Sequence, residues 1–201
     1  NFFSATFLNL ETLKPITFII HESKNQVHDL LRFLDREIEL IGFNSIHYDC
    51  PMLYYIQTHS ESKTLLDELY SVSKKLISDE YGYDKELQKL MHPENIKYIQ
   101  LDLMKIMAFD KLGISLKQTA INLGWYKIQD LPLPYNHTVL ENEISMVVDY
   151  NINDVLITYE LYKKIMPQIQ LRQELGELFS ADLSSASDSK MANVLLEKIY
   201  S

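Results

Sequence analysis

Two short segments of this 201-residue sequence combine acidic, amide and phenolic side chains at spacings that suit metal-dependent chemistry. In residues 44–49, an Asn follows an apolar run and Asp49 precedes a helical pattern. In the second segment, Tyr150 and Asp154 are four residues apart and therefore share one face of a predicted helix. A phenol one turn from a carboxylate allows one side chain to bind a metal ion while the other orients a water molecule.

Each segment also has a simpler structural explanation. Asp49 alone is better explained as the N-cap of a helix, where a carboxylate accepts a backbone N–H. A single Tyr-x-x-x-Asp pattern also fits a solvated Asp beside a half-buried Tyr. The combination is more specific, because Asn-x-x-x-Tyr-Asp after a predicted strand is followed about 100 residues later by Tyr-x-x-x-Asp on a predicted helix. Together the two segments favour a functional role.

A strand–helix–strand order leads to the first segment. Residues 2–8 and 16–20 are β-rich runs separated by turn residues, which predicts a hairpin. Apolar residues at helical spacing predict an amphipathic helix at about residues 25–37. Residues 39–43 form a short apolar run that is typical of a buried parallel strand. This order indicates an α/β sheet, and functional groups in open α/β sheets collect at the carboxyl ends of strands, where residues 44–49 lie.

The rest of the chain is predicted to be mainly helical. Further elements are predicted as helices at about residues 62–78, 115–123 and 140–166, a strand at 98–103 and a rigid Pro-containing connector at 131–135. Ser115 is the predicted N-cap of its helix and Gly124 its end. Asp102, at the end of a predicted strand, is interpreted as a cap of the next helix.

Composition and charge exclude several classes of protein. The net charge of −9 argues against wrapping of duplex nucleic acid by charge alone, but it is compatible with an enzyme that holds a short single-stranded end through metal ions. No apolar run approaches the ~18 residues that a membrane helix needs. Cys50 is the only cysteine, so it cannot form an internal disulfide, and no His or Cys spacing fits zinc. A reduced, cytoplasmic setting is predicted.

The two segments resemble the second and third motifs of the 3′→5′ exonuclease domain of the DEDD superfamily, as found beside the polymerase domains of DNA polymerases. The pair of Tyr150 and Asp154 is similar to the tyrosine branch of that superfamily. In the other branch a His lies five residues before the last Asp, and here that position is Asp149.

The flanking sequence resembles the exonuclease region of phage-type DNA polymerases in residues 41–44, 116–125 and 185–190. The first motif of the family, Asp-x-Glu, is where this sequence departs from the pattern. Its only candidate is Asn9-Leu10-Glu11, which has Asn in place of Asp, and Glu11 is interpreted as an exposed turn residue between two strands. In the phage-type pattern the Asp-x-Glu strand comes just before the segment that matches the start of this chain, so we expect that strand to lie upstream of Asn1.

The resemblance implies a ribonuclease H-like α/β fold over residues 1–201, with a mixed sheet flanked by helices and a helical insertion between motifs two and three. It implies proofreading hydrolysis of a DNA 3′ end with two Mg²⁺ or Mn²⁺ ions, which suit carboxylate ligands. Asp49 and Asp154 are the implied metal ligands, and Tyr150 is implied to orient the attacking water. Phe43 and Asn44 are implied to contact the terminal nucleotide.

The implied partners are a single-stranded or frayed DNA 3′ end and a polymerase domain in the same chain, in the cytoplasm of a bacterial or phage-infected cell. Two other interpretations stay open. One is a catalytically silent exonuclease-like domain that binds DNA or supports a polymerase without cutting. The other is a structural or protein-interaction module in which the acidic motifs are relics.

Overall fold

Strands and helices are mixed in the first half of the described chain, and the rest is helical, as the sequence predicts. The computed structural model describes residues 1–78, 89–90, 99–107 and 114–200. The strands are β1 (Phe3–Leu8), β2 (Pro15–His21), β3 (Lys24–Asn25), β4 (Glu39–Gly42) and β5 (Ile99–Asp102). The helices are α1 (Val27–Leu34), α2 (Asp49–His59), α3 (Leu65–Ser78), α4 (Leu103–Met107), α5 (Leu116–Leu123), α6 (Ile144–Lys164), α7 (Met166–Phe179) and α8 (Asp188–Tyr200). The mixed α/β class is confirmed, and none of these helices is long and apolar enough to cross a membrane.

The chain divides into two compact units. Unit one comprises Asn1–Ile38, Ile46–Ile99 and Gln129–Leu156, and unit two comprises Glu39–Ser45, Gln100–Ile128 and Ile157–Ser201. The division passes through α6, so the first half of that helix belongs to unit one. Asp49, Tyr150 and Asp154 all lie in unit one, whereas Phe43 and Asn44 lie in unit two.

The predicted hairpin is present at the start of unit one. β1 and β2 are antiparallel and place Thr6 opposite Thr17, with their hydroxyl oxygens 2.8 Å apart. The rings of Phe7, Phe18 and Phe33 form a cluster with centroids 4.6 to 6.1 Å apart. Because Phe33 belongs to α1, this cluster packs the helix against the hairpin and buries the apolar face that its sequence pattern predicts.

Two helices are shorter than their apolar patterns suggest. α1 begins only at Val27, because Asn25 pairs with Ile20 as a strand residue and its side chain accepts the Val27 N–H at 3.1 Å. α6 ends at Lys164, three residues before Pro167, which has no N–H to donate to the preceding turn and instead lies at the start of α7. Local backbone chemistry therefore overrides apolar periodicity at both positions.

The packing of α2 against α3 fixes the start of α2 in unit one. Leu53 and Ile56 of α2 and Leu69 of α3 are buried. The hydroxyl oxygens of Tyr48 and Ser73 are 2.7 Å apart, and burial raises the pKa of Tyr48 above its usual value. The phenol therefore stays protonated and ties the residue before Asp49 to α3.

Unit two is built on the pair of strands β4 and β5. Its core consists of the buried side chains Leu101, Leu103, Ile106, Leu161, Ile165 and Ile169. The prediction of a buried strand at residues 39–43 is only partly right, because Glu39 is exposed and the rest of β4 is half-buried. Among the described strands, β4 pairs with β5 alone.

The caps of α5 are those that the sequence predicts. The Ser115 Oγ accepts the N–H of Gln118 at 3.1 Å. Gly124 ends the helix with a left-handed φ of 67°, a conformation that glycine adopts without steric cost. A polar N-cap and a C-terminal Gly are short-range signals, and this helix shows how reliable they are.

Gly42, the last residue of β4, lies so close to Ser45 that a larger residue would not fit. A Cβ at this position would lie 2.5 Å from the Cβ of Ser45, whose side chain is buried. We expect Gly42→Ala to lower the free energy of unfolding by about 1–3 kcal/mol, the usual cost of overpacking. Urea denaturation measures this effect. The double variant Gly42→Ala with Ser45→Gly removes the clashing atoms and should recover part of the loss, whereas strictly additive losses would contradict the predicted clash.

Candidate active site

Tyr150 and Asp154 lie one turn apart on α6 and are joined by a hydrogen bond. The Tyr150 O–H donates to the Asp154 carboxylate. Both residues are half-buried, whereas Asn153 is buried and Asp149 is exposed on the same helix. The sequence spacing predicts a shared helix face, and the hydrogen bond confirms it; the catalytic roles of the two residues stay predictions.

The environment of this pair shifts both pKa values upward. Burial raises the pKa of Asp154 to about 6, although the hydrogen bond from Tyr150 opposes the shift. Burial, the charge and hydrogen bond of Asp154, and the charge of Asp130 raise the pKa of Tyr150 to about 12. At neutral pH the pair is therefore a protonated phenol beside an ionised carboxylate. Sequence reasoning missed Asp130, because nothing in its local pattern places it near the phenol.

A short 3₁₀ turn, Glu141–Glu143, positions the start of α6. The Glu143 carboxylate accepts the backbone N–H of Leu140 and the Nε2–H of His137, each at 2.9 Å. The first of these bonds is the main reason why the pKa of Glu143 is below its usual value. Glu143 thus stays ionised and caps the 3₁₀ turn that leads into the helix carrying Tyr150 and Asp154.

Two residues from the start of the chain hold the segment before α6. The Asn1 side chain donates to the carbonyl oxygen of Val139 at 2.9 Å and accepts the N–H of Val139 at 3.0 Å. The His21 Nε2–H donates to the same carbonyl at 3.3 Å, and its Nδ1 accepts the N–H of Ser23. Sequence reasoning missed Asn1 and His21, because partners 138 and 118 residues apart leave no local pattern.

Asp49 is the first residue of α2, and Tyr48 occupies the N-cap position. The N-cap explanation for Asp49 is therefore not the one that the structure supports, although an acidic residue in the first turn still suits the helix dipole. The Asp49 side chain is exposed and lies in the same unit as Tyr150 and Asp154. Its role as a metal ligand stays a prediction.

The candidate for the first acidic motif has a structural role instead. The Asn9 side-chain oxygen accepts the N–H groups of Glu11 and Thr12 at 2.9 and 2.8 Å, which builds the turn between β1 and β2. Glu11 is exposed in that turn. The interpretation of Glu11 as a turn residue is confirmed, and the expectation of an Asp-x-Glu strand upstream of Asn1 stays a prediction.

Phe43 and Asn44, the predicted nucleotide contacts, lie directly after β4 in unit two. Phe43 is partly buried against the core of that unit. Asn44 has a left-handed φ of 59°, and its N–H donates to the Oδ1 of Asp102 at 3.0 Å. The same oxygen accepts the N–H of Met104 at 3.0 Å, which confirms Asp102 as the cap of α4. The predicted contact of Phe43 and Asn44 with substrate stays a prediction.

The carboxylates of Asp49 and Asp154 fit the oxygen-donor chemistry of Mg²⁺ or Mn²⁺. Within the described ranges, no group of three or more His, Cys, Asp or Glu side chains could hold a metal ion. A hard cation at either Asp would therefore complete its coordination with water and with phosphate oxygens of a substrate, as Mg²⁺ commonly does.

Comparison with protein-family models, with curated proteins and with solved structures finds no match for this chain. A function is therefore inferred from the chemistry of the site and from the resemblance of its motifs.

Proposed function

We propose that this chain is a 3′→5′ exonuclease domain that proofreads for a DNA polymerase. The observation that carries the proposal is the hydrogen bond from Tyr150 to the half-buried, ionisable Asp154 on one face of α6. A protonated phenol beside an anionic carboxylate suits a reaction in which water must be oriented next to a bound cation. The proposal includes a ribonuclease H-like arrangement, which the hairpin–helix–strand order before Asp49 supports.

In this proposal the three candidate residues of unit one, Asp49, Tyr150 and Asp154, each have a defined role. Asp49 and Asp154 hold the cations, and the ionised state that this requires of Asp154 is reached above a pH of about 6. When bound, two Mg²⁺ or Mn²⁺ ions supply an acidified water and stabilise the charge that develops on the leaving oxygen. Tyr150 keeps its proton because its pKa is about 12, so its O–H and oxygen are available to orient the attacking water.

The proposed substrate is the 3′ end of a single DNA strand. A paired terminal base must leave its stack to reach a cleavage site, which costs a few kcal/mol and favours frayed or mismatched ends. Asn44 and Phe43 would contact the terminal nucleotide. The proposed partner is a polymerase domain in the same chain, and the proposed setting is the cytoplasm of a bacterial or phage-infected cell.

A catalytically silent domain that binds DNA or supports a polymerase is the second candidate. It is favoured if Asn9-Leu10-Glu11 is the counterpart of the first motif, because Asn9 would then replace the first acidic ligand, and its side chain is engaged in a structural turn. Cleavage assays separate the two candidates.

We expect the full-length protein, including any first-motif strand that precedes Asn1, to shorten a 5′-labelled single strand from its 3′ end in Mg²⁺ or Mn²⁺ and to stop in EDTA. A mismatched 3′ end should be cut roughly tenfold faster than a matched blunt duplex, because the unpairing cost is smaller. Denaturing gels over a time course measure both rates. Equal rates on both ends, or cleavage in EDTA, would contradict the exonuclease proposal, and DNA binding without cleavage would favour the silent domain.

A further inference from the structure

We infer that Asp102 is a positioning residue for nucleotide binding, because its buried carboxylate fixes the turn that carries Asn44. This inference rests on the proposed function, in which Asn44 contacts the terminal nucleotide. Asp102 lies at the end of β5 and Asn44 directly after the neighbouring strand β4, so one side chain links the ends of two paired strands.

The geometry of Asp102 goes beyond what a helix cap needs. Its side chain is fully buried, and one oxygen accepts the N–H groups of both Met104 and Asn44 at 3.0 Å. The bond to Met104 is local, whereas the bond to Asn44 spans 58 residues of sequence. Capping of α4 requires only the bond from the Met104 N–H. The bond from the Asn44 N–H therefore has a separate effect, which is to hold the turn after β4.

The side chain of Ser185 holds the backbone of Asp102 in place. The Ser185 Oγ accepts the backbone N–H of Asp102 at 2.9 Å and donates to the carbonyl oxygen of Gln100 at 3.3 Å. Ser185 thereby fixes the end of β5 at the position from which the carboxylate reaches Asn44. The three residues Ser185, Asp102 and Asn44 form a chain of hydrogen bonds within unit two.

The turn itself needs such support. The left-handed φ of 59° at Asn44 is a conformation that costs an L-residue energy, although Asn tolerates it better than most. Strained backbone of this kind persists where its surroundings over-determine it, and it clusters at functional sites. Without Asp102 the partly buried N–H of Asn44 would lose its acceptor, and the backbone would be released toward more relaxed conformations.

The test compares Asp102→Ala with Asp102→Asn in the purified protein. Asp102→Ala removes both hydrogen bonds, and we expect KM for a short single strand to rise about tenfold while kcat changes less than about twofold. Asp102→Asn keeps a side-chain oxygen that accepts both N–H groups, so its KM should stay close to that of the unmodified protein. A fall in kcat without a rise in KM would overturn the inference.

The variant Asn44→Gly separates positioning from general stability. Glycine adopts the left-handed φ without strain and keeps the N–H, but it has no side chain to contact the nucleotide. In this background Asp102→Ala should raise KM no further, and an undiminished rise would show that Asp102 does not act through Asn44. If Asp102→Ala fails to fold, Ser185→Ala is tested in its place. We expect a smaller rise in KM from this variant, and no rise when it is combined with Asn44→Gly.

The same experiment distinguishes this inference from the proposed function. If the unmodified protein cleaves and Asp102→Ala leaves its KM unchanged, the inference fails and the exonuclease stands. If the unmodified protein binds without cleaving, the proposed hydrolysis fails. In that case we measure the dissociation constant of a 5′-fluorescein-labelled oligo-dT by anisotropy in Ca²⁺ instead of KM. The inference then requires that the variants weaken DNA binding in the same pattern as that expected for KM.

Discussion

Replacement of Asp154 by Asn will slow the removal of 3′-terminal nucleotides about a thousandfold, and Asp49→Asn will have an effect of similar size. The reason is that each residue is a proposed metal ligand, and the charge stabilisation that a bound cation gives the transition state is worth several kcal/mol, with 1.36 kcal/mol per factor of ten. The amide keeps the shape of the side chain but lacks the charge that a hard cation requires. Initial rates on a labelled single strand measure the loss.

Asp149→Asn is the matched control, because it makes the same charge change one residue from Tyr150 on the exposed side of α6. We expect its rate to stay within about twofold of the unmodified protein, as is usual for surface changes away from a site. Asp154→Asn should melt at no lower temperature than the unmodified protein. Burial raises the folded pKa of Asp154 to about 6, so its ionised form costs stability above that pH and a neutral amide avoids this cost. Near-normal cleavage by both Asp154→Asn and Asp49→Asn would refute the proposed site.

Features that depend on residues close together in the sequence are the ones that the sequence predicts well. The β1–β2 hairpin follows from turn residues between two β-rich runs, and α5 follows from its Ser cap and terminal Gly. The contact between Tyr150 and Asp154 is of the same kind, because four residues on a helix fix their proximity without reference to the rest of the fold. The start of α1 and the end of α6 differ from the predicted bounds, and the residues responsible, Asn25 and Pro167, also act locally.

The hydrogen bonds that hold segments next to the candidate residues are of a different kind. Val139 is held by Asn1 and His21, and Asn44 is held by Asp102, through hydrogen bonds between residues far apart in the sequence. Such bonds depend on where the chain returns after several elements, which no periodic pattern encodes. The raised pKa of Asp154 is likewise a consequence of burial in the folded chain, so the motif alone does not indicate the chemical state of this residue.

The second large effect concerns pH and the phenol beside Asp154. Because the pKa of Asp154 is about 6, kcat/KM should be level above about pH 7 and fall about tenfold per unit below pH 6, where the carboxylate is protonated. Tyr150 does not contribute to this limb, since with a pKa of about 12 it stays protonated throughout. Protons and cations compete for the carboxylate, so a higher Mg²⁺ concentration should move the acid limb to lower pH.

Tyr150→Phe should change both the height and the position of this profile. The plateau should fall about a hundredfold, because a group that orients the attacking water is lost. The acid limb should move about one unit to higher pH, because the phenol hydrogen bond lowers the pKa of Asp154 and its loss leaves burial unopposed. Tyr159→Phe makes the same change elsewhere on α6, at a half-buried phenol, and should leave the limb in place. A purely structural role for Tyr150 predicts a lower plateau with an unmoved limb, so an unmoved limb, or one displaced to lower pH, would show that the phenol does not tune the carboxylate during catalysis.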